Sequence, residues 1–127
     1  MLPKYAAIKV HNNMAKENMK KQAATAIFAA LGDPTRQRIA ELLADARELR
    51  LSNLTEEFDL SRQTVTRHLD VLCAAGVAKT NWRGRERYTA LNEEAFDSIR
   101  DWLGRYDRFW SGKLDELKEF IELREKK

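Results

Sequence analysis

The sequence predicts a mainly α domain with one small β-hairpin, and three observations carry that reading. Apolar residues recur at helical i, i+3, i+4, i+7 spacing in successive runs from Asn13 onward. Gly32-Asp33-Pro34 and Gly76 fall where such runs break off. Strand formers are concentrated between Val77 and Leu91, around Arg83-Gly84. At 127 residues, 43% hydrophobic and 34% charged, the chain is sized for one domain and excludes disordered and low-complexity classes.

Residues 1–12 show no sustained period and are expected to form a flexible N-terminal arm, leaving a single domain over 13–127. In the first helix Ala24, Ile27, Phe28 and Leu31 share one face, and Gly32 stops it. Asp33 then caps a second helix with Pro34 at its first position, where a missing N–H costs nothing. That helix runs to about Asp45 with Ile39, Leu42 and Leu43 inward, and Arg47 to Leu51 reads as a connector. With Ser52 as cap, a short third helix covers Asn53 to Phe58. Ser61 caps a fourth, whose inward face is Val65, Leu69, Leu72 and Cys73 and whose stop is Gly76. Two helices joined by so short a turn form a helix-turn-helix, and the hairpin after them is a wing. Beyond the cap expected at Asn92, one helix of about 30 residues carries a broad apolar stripe that includes Trp102, Tyr106, Phe109, Trp110, Leu114 and Leu117. The order is thus ααααββα.

A lone cysteine, Cys73, on an inward helix face excludes disulfide frameworks and CxxC motifs, and packing is its expected role. The only histidines are His11 and His68, and no phosphate-binding glycine loop or HExxH occurs, so neither catalysis, a metal nor a cofactor is expected. No apolar run approaches the roughly 20 residues of a membrane span, and no signal peptide is visible, so the cytoplasm is the expected compartment.

Charge is unevenly spread. The chain is +3 overall, but residues 62–87 hold six bases against Asp70 and Glu86. Charge alone fits a solvated surface as well as an acidic partner. The fourth helix narrows the choice, because its inward residues leave Arg62, Gln63, Thr66 and Arg67 outward near its N-terminus. Arg reads guanine, Gln reads adenine, and Thr offers a hydroxyl and a methyl, all from a helix that fits the major groove. Thr64 is expected at the helix cap or on a phosphate. His68 is expected on DNA or packed against the second helix, packing being preferred. Arg36, Lys79, Arg83, Arg85 and Arg87 are candidates for DNA backbone or wing contacts, and Trp82 is expected to pack within the wing.

The runs Phe28-Ala29-Ala30-Leu31-Gly32-Asp33-Pro34-Thr35-Arg36, Ser61-Arg62-Gln63-Thr64-Val65-Thr66-Arg67-His68-Leu69 and Ala75-Gly76-Val77, with the Arg-Gly-Arg hairpin, resemble the ArsR-type winged-helix repressors from about Ala24 onward. The resemblance implies a homodimeric bacterial repressor that pairs through its first and last helices and reads a double-stranded DNA operator with its fourth. Ile27, Trp102, Tyr106, Phe109, Trp110, Leu114 and Leu117 are the expected dimer residues. Where arsenic and cadmium sensors of that family carry Cys-x-Cys, this chain reads Glu48-Leu49-Arg50-Leu51-Ser52-Asn53-Leu54, and no histidine follows Asn92, so no tight transition-metal site is expected. A small apolar effector held near Trp102, Tyr106 and Trp110 is a weaker variant. The rival reading is a winged-helix interaction module whose aromatic last helix docks a partner while its DNA face stays idle; an RNA-binding winged helix ranks lower, because the A-form groove is unreadable to a helix.

Overall fold

The computed structural model describes the backbone of residues 4–125 and the side chains of residues 14–125 other than Trp110. Six helices and three strands follow in order: α1 (Lys4–Ala30), α2 (Pro34–Ala46), β1 (Glu48–Arg50), α3 (Leu51–Glu57), α4 (Arg62–Ala74), β2 (Ala78–Arg83), β3 (Glu86–Leu91), α5 (Glu93–Gly104) and α6 (Asp107–Glu125). The core is built where the apolar periods converge. Ile39 and Leu43 of α2, Leu54 of α3, Val65, Leu69 and Leu72 of α4, and Val77 are all fully buried.

The Gly32-Asp33-Pro34 corner forms as its chemistry dictates. Asp33 accepts the Arg36 backbone N–H at 3.1 Å, and Pro34 opens α2. That hydrogen bond holds the Asp33 carboxyl below its ordinary value of 3.8, so its contribution to folding is present above that pH and fades as pH falls through the lower, folded value. Ser61 caps α4 in the same way, accepting the Thr64 N–H at 3.1 Å. Gly76, at φ 82°, ends the α4 region.

Several boundaries differ from the sequence expectation. α1 begins at Lys4, ahead of Asn13 where the apolar period starts; residues 1–3 of the expected arm lie outside the described residues. The Arg47–Leu51 connector contains strand β1, reached because Arg47 closes α2 at φ 66°, a conformation that favours glycine. Helix α3 therefore starts at Leu51, before Ser52, and Asn53 Oδ1 accepts the Arg50 N–H at 3.2 Å in place of a serine cap. Asn92 stands at the α5 cap position, yet its side chain donates to the Gly76 carbonyl at 2.8 Å, fastening the root of the wing to the end of α4. The expected single last helix is divided at residues 105–106 into α5 and α6. α5 packs on α1, whereas every described side chain of α6 is exposed.

The sheet has the order β1-β3-β2, both pairings antiparallel. Arg83 opposes Glu86 across a two-residue turn, and Gly84 at φ 64° beside an Arg85 without positive φ matches a type II′ hairpin. The register puts Thr80, Trp82, Arg87 and Thr89 on the face that looks toward α4, and Lys79, Arg83 and Tyr88 on the other. Thr89 is fully buried and its hydroxyl has no hydrogen-bond partner. Thr89→Val is therefore expected to raise stability by about 1 kcal/mol, because an isosteric methyl removes an unsatisfied polar group from a strand interior. Urea melts of the two proteins check this, and a lower midpoint in the variant contradicts it.

Candidate nucleic-acid interface

The turn between α3 and α4 is Phe58-Asp59-Leu60-Ser61, with Phe58 half-buried against the core. Burial of Leu54 beneath α3 and of Val65, Leu69 and Leu72 beneath α4 fixes how the second helix is presented. What α4 turns outward is Arg62, Gln63, Thr66, Arg67 and Asp70, which together line a shallow surface concavity of about 570 Å³. The four residues expected to read bases thus share one open face. Arg62, Arg67, Lys79 and Arg85 form no ion pair among the described residues.

Other members of the expected set are already engaged inside the chain. Arg36 is half-buried: its Nε donates to the Ala30 carbonyl at the end of α1, and its Nη1 lies 3.3 Å from His68 Nδ1. Guanidinium can only donate, so this Nδ1 is the acceptor, and the same atom stands 4.0 Å from Asp33 Oδ2. Arg36 and His68 therefore tie α4 to the α1–α2 corner. Thr64 is half-buried and its Oγ1 lies 2.9 Å from Ser61 Oγ, so it serves the cap.

Arg87 is the largest departure. Only 8% of it is exposed, its Nη1 meets Asp70 Oδ1 at 2.9 Å, its Nε donates to Thr80 Oγ1 at 3.1 Å, and its Nη2 lies 3.8 Å from Cys73 Sγ. It is a tie between wing and α4. Arg83 is intermediate: its Nη2 stands 2.8 Å from Glu48 and its guanidinium covers the Tyr88 ring at 4.2 Å. That leaves Arg85, at the hairpin tip, and Lys79 as the exposed unpaired bases of the wing.

Trp82 was expected to pack within the wing, yet 62% of it is exposed, with the Arg87 guanidinium 6.0 Å from its ring centre. It lies on the α4-facing side of the hairpin and continues that surface outward. Strand parity could have shown this: Trp82 opposes Arg87, and Arg87, Thr89 and Leu91 alternate onto one face. Asp70 was also missed as the partner that fixes Arg87.

With this geometry in hand, the comparisons with known proteins converge. A helix-turn-helix domain model matches residues 31–81, from the end of α1 into β2. A Bacillus subtilis HTH-type transcriptional regulator is 38% identical over 85 residues, covering 61% of this chain and 92% of its own. An arsenic resistance transcriptional regulator from Pseudomonas putida is 30% identical over 95 residues, covering 75% of this chain and 69% of its own. The chain belongs to the ArsR-type winged helix-turn-helix regulators. The crystal structure of an ArsR family transcriptional regulator superposes with a TM-score of 0.64 at 28% identity, over 72% of this chain and 93% of the other. As an ArsR-type regulator the protein is a DNA-binding factor and not an enzyme. Among the described residues, no three His, Cys, Asp or Glu side chains come together to hold a metal ion, and no helix is long and apolar enough to cross a membrane.

The expected dimer residues divide in two. Ile27 is 3% exposed and belongs to the chain's own core, so it is withdrawn from the dimer set. Trp102 is half-buried between Phe28 and Tyr106, its ring centre 5.0 Å from each. Tyr106, Phe109, Leu114 and Leu117 are all exposed in the single chain. The Trp110 side chain lies outside the described residues. The concavity beside Trp102 measures about 30 Å³, far below the roughly 300 Å³ from which ligand pockets start.

Proposed function

We propose that the protein represses transcription as a homodimer on a pseudo-palindromic operator. One observation carries this reading: Arg62, Gln63, Thr66 and Arg67 stand together on the outward face of α4, with no ion pair among the described residues claiming either arginine. In the bound complex these four side chains read base edges in the major groove. Arg85 and Lys79, with the outer part of Arg83, grip phosphates beside it and set the register. A two-fold dimer demands two half-sites about one helical turn apart. Phe28, Trp102, Tyr106 and Phe109, all at or near the α1–α5 surface, supply the apolar area for joining two copies. Occupying a promoter in this way excludes polymerase, which is how repression follows from binding.

Fluorescence anisotropy of the purified protein on its own upstream promoter DNA and on a scrambled duplex, at two salt concentrations, tests the reading. Tight, sequence-selective binding that weakens steeply with salt is expected, because neutralised phosphates release counterions. Arg85→Ala is expected to weaken binding to every sequence alike, by roughly threefold to tenfold at moderate salt, and to reduce the salt slope by about one. A loss confined to the operator would reassign Arg85 to base reading.

A second reading is favoured by one observation, the exposed apolar side chains of α6. In it the winged helix docks another protein and leaves its DNA face idle. It requires a partner complex indifferent to salt and no footprint on DNA.

A further inference from the structure

Trp82 is the largest side chain of the hairpin, and 62% of it is exposed. A single exposed aromatic on an ordinary surface calls for no explanation. The placement of this one does. Its strand register sets it directly opposite Arg87, on the side of the wing that looks toward α4. Ala78, Thr80, Thr89 and Leu91 share that side and are buried or half-buried, so the indole alone projects from it as an apolar group. Arg87 is held by Asp70, which lines the same concavity as Arg62, Gln63, Thr66 and Arg67. The indole, its ring centre 6.0 Å from the Arg87 guanidinium, therefore stands where the surface passes from α4 to the hairpin tip at Arg85.

We propose that Trp82 lays its ring flat against a deoxyribose at the edge of the groove that α4 enters, and supplies affinity that salt does not weaken. The inference rests on the DNA-binding reading and adds to it a contact of a different chemistry. Two arguments fix the occupant. A duplex keeps its base faces stacked and presents only base edges in the grooves, so the ring is offered the C–H faces of the sugars that border them. Charge on both sides of the ring suits a polyanion. Arg85 at the tip and Arg62 and Arg67 on α4 form no ion pair among the described residues. Asp70, the acid of this surface, is paired with Arg87, and Glu86 lies on the other side of the hairpin, against Arg50 and the Tyr88 hydroxyl. Ionic contacts weaken as salt competes for the phosphates, whereas apolar burial does not. Trp82 thus holds the wing on the backbone at salt concentrations where the arginines alone let go.

The test is anisotropy of the full chain on its own upstream promoter duplex and on a scrambled duplex, over a series of salt concentrations. Trp82→Ala is expected to weaken binding to both by about tenfold, with the slope of log affinity against log salt unchanged. Trp82→Phe keeps a ring and is expected to stay within about threefold of the parent. Arg85→Ala supplies the contrast, because it lowers the slope by about one. Both Trp82 variants are expected to melt like the parent, since the ring is open to solvent. A slope that falls with Trp82→Ala would overturn the apolar contact and make the ring a brace for neighbouring arginines. A second readout is independent of affinity. The protein has three tryptophans, and in fluorotryptophan-labelled protein the fluorine resonance missing from Trp82→Phe belongs to Trp82. Its shift between light and heavy water measures exposure, and that shift is expected to be largely lost when promoter duplex is added. A promoter-bound protein in which the resonance keeps its full isotope shift, or a Trp82→Ala protein that binds like the parent, would overturn the proposal while the DNA-binding reading stands. A parent protein that binds neither duplex would overturn both.

Discussion

Arg87→Ala is expected to lower folding stability by about 2 to 3 kcal/mol and to weaken binding to every DNA sequence in similar measure. The stability loss does not come chiefly from the ion pair. Asp70 is 62% exposed, and a pair so open to water is worth under about 1 kcal/mol. It comes from the buried aliphatic stem, whose removal leaves a void between α4 and the hairpin, and from the donors withdrawn from Thr80 and Cys73. The binding loss has two sources. The wing is no longer held at a fixed distance from α4, and Asp70, released from its partner, presents a bare carboxylate one turn beyond Arg67 on the face proposed to enter the major groove. Arg87→Met separates the two effects, since it keeps most of the packing and none of the charge. It is expected to recover more than half of the stability and little of the affinity. Thermal melts with anisotropy on operator and random duplexes check both halves, and an Arg87→Ala protein that melts like the parent would contradict the structural role.

Arg67→Ala is the second large effect. It is expected to cost about 1 to 3 kcal/mol on the operator, roughly fivefold to 150-fold in affinity, and far less on random DNA. The asymmetry follows from its position. Arg67 is exposed at the centre of the outward face of α4, a full turn from the helix start, where a side chain reaches base edges more readily than backbone. Melting is expected to be unchanged, because no described side chain depends on it. Titrations against duplexes with each operator base changed in turn should show discrimination collapsing at one or two positions per half-site. Equal losses on operator and random DNA would make Arg67 a phosphate contact.

Much of the candidate interface's geometry could be read before the structure, for identifiable reasons. Apolar residues at helical spacing fix which side of a helix is buried, and the outward face of α4 is the remainder, so Arg62, Gln63, Thr66 and Arg67 followed directly. The Ser61 cap and the Asp33-Pro34 corner are local chemistry and appear where one residue predicts them. What the sequence could not show is long-range partners. Arg36 and Arg87 read as free bases because a charge in a sequence does not reveal what folds against it, whereas His68 packs against the second helix as preferred. Arg36 finds the Ala30 carbonyl, His68 finds Arg36, and Arg87 finds Asp70 only once α2, α4 and β3 are assembled. Ile27 was assigned to a partner for the same reason, since periodicity reports an apolar face and not whose core it fills. Strand β1 escaped notice because three residues are too few to show alternation, and its pairing with β3 depends on Arg47 adopting φ 66°, a turn that no glycine marks in the sequence.

Placing β3 in the middle of the sheet has a consequence for the behaviour of the protein in a crowded solution. Strand β2 is left as an outer edge, with unpaired N–H and C=O groups directed away from β3, and such an edge is a template on which strands from other molecules can add. Lys79 lies along it and Arg83 stands at its end, the kind of charge that makes stacking of identical strands unfavourable. The basic residues proposed to grip phosphates thus also place charge along the open edge of the sheet, where it opposes addition of a second strand. Selection to weaken DNA affinity by neutralising this edge would meet opposition from solubility, and tuning of affinity is easier at the hairpin tip, where Arg85 guards no open strand.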